Sequence, residues 1–93
     1  MIVSLDTAGH LQLEDARNCR GFSFRRGPDP LSNTAAVTFA DDAAWVSETA
    51  LRAWAPLADD AEWQADLTAM LAYAQSKGWI HPQSGRIRAH IEP

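Results

Sequence analysis

Three cationic side chains stand at alternate positions late in the sequence: Arg86, Arg88 and His90. Alternate residues of a strand share a face, so the three would form one basic row. Such a row can hold a carboxylate or a phosphate, because arginine presents a planar fork of donors to those groups. His81, a few residues upstream, is the matching candidate for an acid or base. The plainer reading of the same pattern, and the preferred one, is an edge strand kept soluble and unpaired by its charge.

Other reactive residue types lack the spacing that chemistry requires. Cys19 lies between Arg17 and Arg20, cations able to favour a thiolate, yet no histidine adjoins it in sequence and an inert small residue is the simpler account. His10, His81 and His90 fall in different elements, with no HxH or HExxH spacing to set two metal ligands on one face. Asp41 with Asp42, and Asp59 with Asp60, are carboxylate neighbours at expected turns or caps, where they serve backbone N–H groups. No phosphate-binding loop, dinucleotide fingerprint or nucleophile elbow is present, so no catalytic residue, metal or cofactor is expected.

Two short patterns resemble nucleic-acid-binding families. Arg20, Gly21, Phe22, Ser23 and Phe24 resemble part of the aromatic octamer of the RRM family, whose phenylalanines would stack on RNA bases. Arg25 and Gly27 depart from that pattern, and nineteen residues are too few for the strand, helix and strand that precede the octamer, so a core strand is the preferred reading. A helix and hairpin over residues 60–91 resemble the recognition helix and wing of winged-helix DNA-binding domains. Glu62 and Asp66 would then face phosphates, with Lys77 the helix's one cation. Nucleic-acid binding is accordingly disfavoured.

The elements that must position these residues are legible from periodicity. Residues 2–5 and 11–13 flank Thr7, Ala8 and Gly9 as a hairpin, and Phe22 with Phe24 marks a half-buried strand. Gly27, Pro28, Asp29 and Pro30 predict a turn-rich loop, after which residues 35–39 and 44–46 form a second hairpin about Asp41 and Asp42. Ser47 is placed to cap a short helix ended by Pro56, with Val46 and Leu51 as its hydrophobic staple. The strongest signal is an amphipathic helix over residues 60–77. Asp59 with Glu62 suggests its capping box, and Gly78 its C-terminal stop, with Trp79 folding back toward Ala74. Trp63, Leu67, Met70, Leu71 and Ala74 share a face destined for the core. The opposite face carries Ala61, Ala65, Ala69 and Ala72, small enough to admit a second helix or a second subunit; an equal reading is that alanine, the best helix former, simply faces water there. Residues 79–81 and 86–91 read as a final hairpin through Pro82 and Gly85.

The expected fold is a single α+β domain over residues 1–93, a small mostly antiparallel sheet with two helices packed on one face and the C-terminal helix followed by a β-hairpin. Hydrophobic residues make up 46% of the chain and include four tryptophans, enough for a core without disulfides. One cysteine suits a reducing cytoplasm, and no apolar run reaches the ~20 residues that span a membrane. The net charge of -4 is uneven: residues 41–66 hold seven acidic side chains against Arg52 alone, while the last strand is basic. That asymmetry, with the absence of catalytic motifs, points to a non-catalytic interaction or regulatory module acting as a homodimer or on a protein partner. The alternative is a small enzyme or binding protein for an anionic metabolite, using Arg86, Arg88 and His90.

Overall fold

The computed structural model describes residues 1–27 and 31–92. Of the turn-rich loop, Pro28, Asp29 and Pro30 therefore lie outside the described residues. The elements run in the order β1 (Ile2–Leu5), β2 (Leu11–Glu14), β3 (Ser23–Arg25), β4 (Val37–Ala40), β5 (Ala43–Val46), α1 (Glu48–Arg52), α2 (Ala61–Ser76) and β6 (Ile87–Glu92). Locally the chain obeys its sequence signals. Asp41 and Asp42 both adopt positive φ, 54° and 59°, the two-residue turn that matches the twist of the β4–β5 hairpin. The Ser47 hydroxyl accepts from the Ala50 amide, and Val46 and Leu51 are both fully buried. The α1 helix stops at Arg52, earlier than Pro56 alone demands.

At the start of α2 the cap is Asp60 rather than Asp59: its Oδ1 accepts from the Trp63 amide at 2.9 Å and its Oδ2 from Arg17. Sequence spacing favours Asp59 with Glu62, but Arg17, distant in the chain, pairs with Asp60. At the other end Gly78 takes φ 77°, so that its amide donates to Gln75 and that of Trp79 to Ala74. Both bonds belong to the left-handed stop that glycine makes at low cost.

The tertiary arrangement departs from the mostly antiparallel expectation. All six strands form one sheet in the order β2-β1-β3-β6-β5-β4. The two hairpins and the β5–β6 pair are antiparallel, but β3 runs parallel to both of its neighbours, β1 and β6. The sheet is therefore mixed. Strand direction follows from the path of residues 15–22, which carry the chain back past β1, and no local residue pattern encodes that path.

The sheet is also curled into a half-barrel, so the expectation of two helices laid on one face does not hold. Neighbouring strands lie about 4.8 Å apart, which would separate β3 from β4 by roughly 14 Å on a flat sheet. Yet the rings of Phe24 on β3 and Phe39 on β4 meet edge to face with centroids 5.1 Å apart. Curling is made easy by Ala44 and Ala89, paired on the strands between and both wholly buried, which leave room for the rings. Leu51 of α1 and Trp63, Leu67 and Ala74 of α2 join Val3, Val37, Val46 and Ile87 in that one core. Trp63 is fixed there by its indole N–H, which donates to the Ala16 carbonyl at 2.9 Å.

The final hairpin is likewise reduced. Of its first strand only the bridge between Ile80 and Ile87 remains, with the Arg88 amide donating to the Trp79 carbonyl and the His81 amide to that of Arg86. Far from being an edge strand, β6 lies inside the sheet between β3 and β5. With β5 along one side of it, its other side is paired twice, first with Ile80 and then, from His90 on, with β3.

Candidate functional site

That change of partner opens a fork in the sheet beside Arg88 and His90. A cavity of about 250 Å³ sits there. One wall is the outer row of β6, another is the loop bearing Cys19, Arg20 and Phe22, and the third is Met70 and Tyr73 of α2 with Trp79 beyond its end. Each wall has a local cause. The loop is pinned by the Met1 nitrogen, which donates to the Asn18 and Gly21 carbonyls at 2.7 and 2.9 Å. Trp79 is held by the Gly78 stop on one side and by the Arg88 amide on the other. Its ring meets Tyr73 edge to face at 5.9 Å, while the Lys77 ammonium lies over the Tyr73 ring at 5.6 Å.

The four residues expected to bind an anion divide into two pairs. Arg88 and His90 line the cavity, both exposed, while Ala89 between them points into the core. Arg86 is drawn away: its guanidinium donates to the Ala35 carbonyl at 2.9 Å and the Trp45 carbonyl at 3.4 Å. His81 is occupied too. Its Nδ1 accepts from the amides of Gln83 and Ser84, both at 3.2 Å, and its ring stands against Trp45 at 5.4 Å. Neither of these two residues lines the cavity.

Arg20 takes the place of Arg86. Among the described residues, Arg17, Arg25 and Arg52 are paired with carboxylates, whereas Arg20 and Arg88 form no salt bridge. Among the described residues, no aspartate or glutamate lines the cavity. Arg20 and Phe22 belong to the segment that resembles the RNA-binding octamer, but the octamer's second phenylalanine, Phe24, is buried in the core and offers no stacking face. Tyr73, an aromatic outside the core-facing arc of α2, is the sequence signal that marks this wall. It is 57% exposed, and Trp79 is 40% exposed.

No family model, curated protein or solved structure matches this chain. The site must be read from its own chemistry.

Cys19 supplies a wall rather than a nucleophile. Burial pushes its thiol above the ordinary value and the charge of Asp66 pushes it further, so the uncharged thiol dominates at neutral pH. Among the described residues no cluster of three or more histidine, cysteine or acidic side chains could hold a metal ion. On α2 the alanines Ala61, Ala65, Ala69 and Ala72 are all exposed. The two helices meet instead through Arg52, whose guanidinium reaches the Gln64 and Thr68 side chains. No described helix is long and apolar enough to cross a membrane.

Proposed function

We propose that this protein is a non-catalytic binding module for a small anionic ligand, held at the fork in the sheet by Arg20, Arg88 and His90. One observation carries the reading: in a chain of net charge -4, Arg20 and Arg88 meet at a cavity that no carboxylate among the described residues lines. Unpaired guanidinium groups beside apolar walls attract an anion more strongly than the same groups in open water, because the walls displace solvent and lower the local dielectric. What the cavity offers is charge, donors and apolar surface. A protonated Cys19 adds no nucleophile, and His81, tied to its own turn, lies outside. A lone free cysteine fits a cytoplasmic home for such a module.

The test is calorimetric titration with simple organic and inorganic anions at two ionic strengths. Binding that weakens with salt and is lost in Arg20→Gln and Arg88→Gln, but kept in Arg86→Gln, supports the reading. Equal binding by all three variants overturns it.

A second reading makes α2 a docking surface for another copy of the chain. It is favoured by Tyr73 and Trp79, the large hydrophobic side chains left exposed among the described residues, with the exposed alanines on the same helix. Light scattering across a salt and concentration series decides it: a monomer throughout removes the dimer, and a dimer abolished by Ala69→Glu supports it.

A further inference from the structure

The walls of the cavity carry more information than its charge. We infer that the ligand is an aromatic monocarboxylate of about one ring, its carboxylate at Arg20 and Arg88 and its ring against Phe22, Met70, Tyr73 and Trp79. This rests on the anion-binding reading and narrows it.

Size is the first argument. A cavity of roughly 150 Å³ suffices for benzene. At about 250 Å³ this one leaves room for a ring, a carboxylate and a short arm. It is below the roughly 300–1,000 Å³ usual for pockets that bury a drug-sized ligand.

The field of α2 is the second. Tyr73 and Ala74 come from the last turn of that helix, where backbone carbonyls make the dipole negative. Phosphate groups favour the opposite end of a helix, where free amides point outward. A single negative charge spread over two carboxylate oxygens suits two guanidinium forks and is repelled least by the helix end.

The third is the kind of apolar surface. Tyr73 and Trp79 already hold each other edge to face at 70°, with Lys77 over the Tyr73 ring, so the two rings are set in place before a ligand arrives. A third ring can join that arrangement with the same electrostatic preference, and the Met70 thioether adds a favourable contact to a ring edge. Aromatic contacts of this kind improve affinity about two- to tenfold over a saturated ring of equal size.

The experiment compares four probes by calorimetry and by amide chemical shifts of the full chain: phenylacetate, cyclohexylacetate, phenylacetamide and inorganic phosphate. Phenylacetate is expected to shift residues 19–22, 73–79 and 88–90 and to bind about two- to tenfold more tightly than cyclohexylacetate. Tyr73→Leu, at an exposed helix position, should erase that difference while leaving the fold intact. Phosphate binding at these residues as tightly as phenylacetate, or cyclohexylacetate matching it, overturns the aromatic assignment and leaves the anion reading standing. Equal binding of phenylacetamide, or no binding by any anion, overturns both.

Discussion

The curl of the sheet makes Phe24 and Phe39 meet across two intervening strands, and a double-mutant cycle measures that coupling. Phe24 is 2% exposed and Phe39 half-buried, so replacing each by leucine should cost about 1–2 and about 1 kcal/mol respectively, from lost contacts and incomplete collapse around the smaller side chain. On a flat sheet, rings roughly 14 Å apart would not interact and the two losses would add. At the observed 5.1 Å the edge-to-face contact is lost in full with the first substitution. The double variant should then be less destabilised than the sum by about 0.5–1.5 kcal/mol. Urea unfolding followed by tryptophan fluorescence gives the four free energies, on a domain whose total stability is expected at roughly 5–14 kcal/mol. Additivity within about 0.3 kcal/mol would refute the curled sheet.

Trp63→Phe should lower stability by about 2 kcal/mol, since it empties part of a wholly buried site and strands the Ala16 carbonyl; a thermal melt should fall by several degrees. Arg86→Met should cost about 1 kcal/mol in urea unfolding with anion affinity unchanged, because that side chain serves the Ala35 and Trp45 carbonyls and not the cavity. Acid should loosen α2 through Asp60, whose carboxyl is held below its ordinary value by the Trp63 amide first and by Arg17 second. A carboxyl depressed in the folded state stabilises it at pH values above the unfolded pKa, and that support is lost as pH falls through the lowered value. The unfolding midpoint of the wild type should thus decline more steeply below about pH 4 than that of Asp60→Asn; parallel profiles would contradict the linkage.

Local structure was legible because its causes are local. The spacing of Trp63, Leu67 and Ala74, the capping of α1 by Ser47 and the stop at Gly78 each depend on residues within a turn or two, and each is found as read. The exception at the helix start has the opposite cause: Arg17, 43 positions from Asp60 in the chain, pairs with the aspartate that caps. The alternation of β6 was also legible, with Ile87 and Ala89 buried and Arg88 and His90 exposed.

The sequence by itself therefore determined most of the elements, their buried faces and two of the residues that line the cavity, Arg88 and His90. Only the tertiary structure decided the rest. Strand direction, curl and the fork beside β6 depend on how residues 15–22 return past β1 and on which strands close over Ala44 and Ala89, relations between distant segments that no periodicity records. The same folding diverted Arg86 to backbone carbonyls and His81 to its turn, and brought Arg20 to the cavity in their place. Strand spacing can place side chains on a common face, but hydrogen-bond partners are set by whatever backbone the fold brings within reach.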